Sequence, residues 1–136
     1  MRRRPREEGE RWIEQAREDL RWADDLAWRG GYHVACFLAQ QVGGKALKAF
    51  LYAAGDEVVL GHSIERLCNQ VAERHPAIRE HARRWSILDA YYVTARYPNS
   101  LPESIPARVY TEDAAMEAVR FATEIVRYVE ELLESL

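Results

Sequence analysis

Apolar residues recur with a helical period along almost the whole chain. From about Glu7 to Trp28 they fall at Ile13, Ala16, Leu20, Ala23 and Ala27, the stripe of an amphipathic helix. Gly30-Gly31 ends it, since glycine is the usual residue just past a helix end. A second helix is expected from about Tyr32 to Ala54, with Ala35, Leu38, Val42, Ala46, Ala49 and Ala53 on one side, and Gly55-Asp56 closes it. A looser stretch, Glu57 to Gly61, leads into a short third helix over about Ser63–Arg74 with Ile64, Leu67, Cys68 and Val71 facing inward. His75-Pro76 starts a fourth, because proline is tolerated in the first turn of a helix. It is expected to run to about Arg96 through Ile78, Ala82, Trp85, Leu88, Tyr92 and Ala95. Tyr97 to Tyr110, with Pro98, Pro102 and Pro106, is the one long irregular segment, of a length that is more often functional than idle. Thr111 is a good N-cap, Glu112 and Asp113 complement the helix dipole, and a last helix carries Ala115, Ala118, Ala122, Ile125, Val129, Leu132 and Leu136.

Four of these helices are expected at about 20 to 25 residues, each on the order of 30 to 37 Å long. Similar lengths and mostly short connections predict an all-α fold, an up-and-down bundle of four long helices plus one short helix. The seams of the first, second and last helices are rich in alanine, which lets backbones approach closely, while four Trp and seven Tyr supply bulk. Some of those aromatics should stay on the surface, and a self-associating face is the ordinary reason.

Composition narrows the class. A chain of 136 residues, 48% apolar and 30% charged, suffices for one sizeable core. Val34 to Ala39, an unbroken apolar run that no other exceeds, is far short of the roughly 20 residues that span a bilayer. The N-terminal arginines lack a following apolar stretch, so no secretory leader is expected, and a cytoplasmic location is. The basic residues are seventeen Arg and two Lys. Arg2, Arg3, Arg4 and Arg6 make residues 1–6 a candidate basic flexible tail; without them the net charge of −3 becomes −7, and residues 7–136 form the expected helical domain. The net charge excludes a generally basic, nucleic-acid-coating protein.

The polar candidates are few. Lys45 and Lys48 sit one turn apart beside the apolar seam of the second helix, where they either snorkel or offer two ammonium groups to a phosphate. Arg96 ends the fourth helix: it either complements the helix C-terminus or presents a guanidinium at the mouth of the loop. Tyr91, Tyr92 and Tyr97 surround it and either stack bases or pack. His62 precedes the third helix, as an acid–base group, a phosphate donor or a cap shared with Ser63. His33, His75 and His81 are scattered with no zinc-site spacing, so neither a metal nor a cofactor is expected. Gly43-Gly44-Lys45 lies inside a helical pattern and lacks the Ser or Thr of a phosphate-binding loop. Cys36 and Cys68 lie on apolar faces and read as core.

Four stretches stand out as a set: Gly31–Gln41 continuing through Lys45-Ala46-Leu47-Lys48-Ala49; Gly61-His62-Ser63-Ile64-Glu65-Arg66-Leu67; Tyr91-Tyr92-Val93-Thr94-Ala95-Arg96-Tyr97-Pro98; and Tyr110-Thr111-Glu112-Asp113-Ala114. Together they resemble the HEPN domain family. They occur in the family's order, and the resemblance spans about Arg11 to Tyr128. It implies a helical homodimer that binds nucleotide or RNA, without a membrane, as the toxin-side partner of a minimal nucleotidyltransferase. It also implies, as an alternative, a metal-independent endoribonuclease in which an Arg is followed after four to six residues by a His. Arg96 matches that arginine, but Tyr97, Pro98, Asn99, Ser100, Leu101, Pro102 and Glu103 follow it, with no His. Arg74 and His81 have six residues between them, yet straddle Pro76 and lie too early in the chain. Gly44 stands where the family commonly has an acidic residue. A third reading is a non-catalytic dimeric module in which Arg96 only caps its helix. The candidate ligand-binding set is Lys45, Lys48, His62, Arg96, Tyr92 and Tyr97, with Arg96 and His62 as the catalytic candidates.

Overall fold

Seven α-helices order the chain: α1 Pro5–Arg29, α2 Tyr32–Ala53, α3 Ile64–Ala72, α4 Arg79–Trp85, α5 Tyr91–Thr94, α6 Pro106–Val109 and α7 Glu112–Glu134. The computed structural model describes residues 4–136, and they contain no strand. The fold is the all-α bundle that the periodicity predicts.

Helix α2 is its axis. Thirteen of its 22 residues are buried, including Ala35, Ala39, Ala46 and Ala49. A helix buried nearly all round must have neighbours on every side. Helices α1 and α7 pack on it and on each other, and α3 and α5 reach it from elsewhere. Alanine-rich seams set the spacing. A Cβ added to Gly9 would lie 2.6 Å from Ala53 Cβ and 2.7 Å from the Ala49 carbonyl oxygen, so the start of α1 meets the end of α2 almost backbone to backbone. That contact also makes the two helices antiparallel.

Local signals end the helices where expected. Gly30 takes φ +91°, which an L side chain rarely adopts, and its N–H bonds to the Leu26 carbonyl. The Thr111 hydroxyl accepts from the Ala114 N–H at 3.2 Å, opening α7. The start of α1 departs from expectation. Pro5 occupies the first helical position, so Arg6 belongs to the helix rather than to a tail, and its Nη1 donates to the Leu136 carbonyl at 3.2 Å. Arg4 is the cap residue of α1, and Arg2 and Arg3 lie outside the described residues.

The fourth long helix is present as a helical run from Pro76 to Thr94, but in segments. Single 3₁₀ stretches, Pro76–Ile78 and Ser86–Ala90, alternate with α4 and α5. The Ser86 and Thr94 hydroxyls bond back to the Ala82 and Ala90 carbonyls, both at 2.5 Å, a contact that competes with the regular ladder. The segmentation keeps Ile78, Trp85 and Leu88 in the core and turns Asp89 toward α3. The proline-rich segment is likewise less irregular than expected: Pro98 opens a 3₁₀ turn and Pro106 opens α6. No helix among the described residues is long and apolar enough to cross a membrane.

Candidate functional site

The site is organised around the connection from α2 to α3. Gly61 adopts φ +93° and delivers His62 and Ser63 to the start of α3. Ser63 is the cap of that helix, its hydroxyl accepting from the Arg66 N–H at 3.1 Å. A second, distant cap completes it. Asp89 Oδ1 accepts from the Ile64 N–H at 2.7 Å, and Oδ2 accepts from the Glu65 N–H and the Ser63 hydroxyl, each at 3.1 Å. Gln40, 1% exposed on α2, donates from one amide nitrogen to the His62 carbonyl at 2.6 Å and to Asp89 at 3.3 Å. The His62 carbonyl is thereby held from α2, and the three residues after it by Asp89. Its imidazole takes no part in capping; it stacks on Tyr92, with ring centroids 5.2 Å apart and an interplanar angle of 18°.

Beside this connection lies a cleft of about 150 Å³. Gly44, Lys45 and Lys48 of α2 line it together with Trp12 of α1, and Gln40, Gln41 and His62 complete the wall. No carboxylate among the described residues lines it. The two lysines differ in environment. Lys45 Nζ is 2.5 Å from Asp19 of α1, so its charge is paired. Lys48 is 8% exposed and meets no carboxylate among the described residues; its ammonium lies 5.6 Å from the centre of the Trp12 ring. Burial, and then the charge of Lys45, hold its pKa below the ordinary lysine value.

Arg96 forms the other half of the site. Its Nε donates to the Tyr92 carbonyl at 2.7 Å, the helix-end contact expected of a terminal cation. The guanidinium carbon lies 4.3 Å from the Phe37 ring centre, 4.7 Å from Tyr92 and 5.1 Å from Tyr97. It has no carboxylate partner among the described residues, which leaves its outer nitrogens available to an anion. Tyr91 does not join this cluster. It packs edge-on against Tyr110, and burial pushes its phenol up to about 12.

Lys45, Lys48 and His62 therefore share one cleft, while Arg96 and Tyr97 sit in a neighbouring aromatic cluster. Tyr92 links the two, touching both His62 and Arg96. Sequence reading missed Phe37, Gln40, Asp19, Trp12 and Asp89. A signal existed for three of them. Gln40 occupies a buried phase of an otherwise apolar helix, and Trp12 and Asp19 lie within one turn of Ala16 on the α1 seam. Asp89 had no local signal, since its partners lie in other segments. Arg74 and His81 take different partners. Arg74 bonds Asp56 at 2.7 Å, whereas His81 stacks on Trp85 at 4.9 Å. Cys36 and Cys68 are buried, and burial pushes both thiols up to about 12.

A family model described as "HEPN domain" matches residues 9–132. The chain belongs to the HEPN domain family. Two solved structures agree. TT1696 from Thermus thermophilus is 39% identical, with a TM-score of 0.79 over 90% of this chain and 96% of that one. ST0689, an archaeal HEPN homologue, is 34% identical, with a TM-score of 0.73 over 98% of this chain and 99% of that one. A search of curated proteins returned no significant match. In this HEPN chain the imidazole nearest to the Arg96 cluster along the observed contacts is that of His62, which reaches it through Tyr92.

Proposed function

We propose that this HEPN chain binds the phosphate of a nucleotide or RNA through Arg96, Lys48 and His62, with Tyr92 and Tyr97 shaping the surface. Lys45 contributes beside Asp19. We place it in the cytoplasm as a homodimer that acts as the toxin-side partner of a minimal nucleotidyltransferase. Family membership supports a nucleotide- or RNA-related role. One observation carries the reading: the Arg96 guanidinium is steadied by three aromatic rings and its backbone bond, yet has no carboxylate partner among the described residues. Steadied, unpaired guanidinium is suited to bidentate phosphate contact, and exposed tyrosine beside it is suited to stacking an unpaired base.

Fluorescence anisotropy with a labelled single-stranded oligoribonucleotide tests this. Arg96→Ala is expected to weaken binding about ten- to a hundredfold, the size of a lost charged hydrogen bond. Unchanged affinity in a folded Arg96→Ala variant would overturn the reading. Co-purification with a nucleotidyltransferase encoded nearby and light-scattering mass in solution test the two partner assignments.

The second reading is a metal-independent endoribonuclease. Its support is the placement of His62 on the Tyr92 ring that also holds Arg96, in a chain with no His following Arg96. It requires cleavage of RNA in EDTA, leaving 2′,3′-cyclic ends, that is lost in both Arg96→Ala and His62→Ala. A purely structural role requires instead that Arg96→Ala lower stability and change nothing else.

A further inference from the structure

We propose that the cleft between α1, α2 and the α2–α3 connection receives a terminal phosphate, a phosphomonoester at the 5′ end of a nucleotide or RNA strand, with Lys48 as its direct cation. This rests on the nucleotide or RNA reading and narrows it to a strand end.

Lys48 is the starting point. It is 8% exposed and lines the cleft, and its ammonium has no hydrogen bond or ion pair among the described residues. Its stem is buried while the ammonium keeps contact with solvent at the cleft, since the one fully buried side-chain nitrogen or oxygen without a partner among the described residues is His81 Nδ1; the charge is partly desolvated and open to an anion. The Trp12 face at 5.6 Å offsets only part of the cost. Lys45 adds no free charge, because Asp19 pairs it at 2.5 Å. An anion in the cleft would supply the missing partner of Lys48.

Size and shape select the anion. At about 150 Å³ the cleft is smaller than the roughly 300 to 1,000 Å³ of pockets that enclose drug-sized ligands. A phosphate group fits; a nucleoside does not. Trp12, Gly44, Lys48 and His62 all line it, so a group held there meets an aromatic face, an ammonium and an imidazole together. A phosphomonoester also carries more negative charge at neutral pH than the single charge of an internal phosphodiester. A sugar leaving the cleft past His62 would meet Tyr92, on which the imidazole stacks.

Gly44 gives independent support. Glycine inside a helix is unfavourable relative to alanine, so packing usually demands it. Here a Cβ would meet nothing closer than the His62 carbonyl oxygen at 3.8 Å and Leu67 Cδ1 at 3.9 Å. The neighbouring Gly43 is different: its Cβ would lie 2.9 Å from Ile64 Cδ1. Gly43 is needed by the core, whereas Gly44 leaves space in the cleft.

The test compares 5′-phosphorylated and 5′-hydroxyl oligoribonucleotides of one sequence by anisotropy. Wild type is expected to favour the phosphorylated strand by about tenfold or more, the scale of one charged hydrogen bond. Lys48→Gln is expected to reduce that ratio to near one. Gly44→Met, which keeps the lysine but fills the cleft, is expected to do the same. Equal wild-type binding of both strands overturns the subsite and leaves the wider reading standing; so does a ratio that survives in both variants. If neither strand binds, the RNA half of the wider reading fails, and AMP against adenosine then decides the nucleotide half and the cleft by thermal shift. Stabilisation by AMP alone, lost in Lys48→Gln, supports it; no preference for AMP overturns it.

Discussion

Asp89→Ala tests the link between the bundle and the site. The carboxylate accepts from the Ile64 and Glu65 N–H groups, the Ser63 hydroxyl and the Gln40 amide. Removing it takes away a helix cap, at about 1 to 2 kcal/mol. It also leaves the N–H of fully buried Ile64 without its acceptor, at about 1 to 3 kcal/mol. The Gln40 amide retains the His62 carbonyl and Arg66 N–H retains Ser63, so those bonds add little. The expected loss is about 2 to 5 kcal/mol. For a chain of this size about 4 °C of melting temperature accompanies each kcal/mol, which gives a fall of about 8 to 20 °C. Circular dichroism melts at matched protein concentration would measure it, since self-association makes Tm concentration-dependent. Asp89→Asn keeps one oxygen acceptor and is expected to lose about half as much. Nucleotide affinity should fall in parallel, because the α3 start orients His62. A melting temperature unchanged by Asp89→Ala would refute the account, and would mean that α3 is held in place by its apolar face alone.

Other substitutions have opposite signs. Gly9→Ala should destabilise the bundle by about 1 kcal/mol in thermal melts, since about 1 to 3 kcal/mol of overpacking against Ala49 and Ala53 outweighs about 1 kcal/mol of helix propensity. Gly44→Ala should stabilise it by up to about 1 kcal/mol, because its Cβ meets only ordinary contacts. Lys48→Met should raise Tm at neutral pH: burial and Lys45 depress the lysine pKa, so the charged form is penalised only in the folded state. That gain should fade in melts taken as pH rises through the folded-state value toward the unfolded one near ~10.4. Glu124 works in the opposite sense. Burial tends to raise its pKa, but hydrogen bonds from Trp85 and Arg84 outweigh it and hold the carboxyl below its usual value. Its contribution is therefore present above the unfolded value near ~4.3 and lost as pH falls through the folded one, so Glu124→Gln should flatten that part of a Tm-against-pH curve.

The helices were legible in the sequence because their determinants are local. The apolar stripe of Ile13, Ala16 and Ala23, the left-handed Gly30 and the Thr111 cap each act within a few residues of themselves. Candidate residues were legible as types and positions: Lys45, Lys48, His62 and Arg96 stand out as cations and an imidazole beside apolar seams. Their environments were not. Whether a lysine is paired or left without a carboxylate depends on what the facing helix presents, and α1 presents Asp19 to Lys45 and Trp12 to Lys48. The Arg96 cluster needs Phe37 from α2, and the α3 cap needs Asp89 from the run after it. The same long-range bonds accompany the division of the Pro76–Thr94 run into segments, where periodicity alone expects one continuous helix. Helical phase is written in nearest neighbours along the chain. Charge pairing, burial and capping across elements depend on distances that exist only once α1, α2 and α3 have packed.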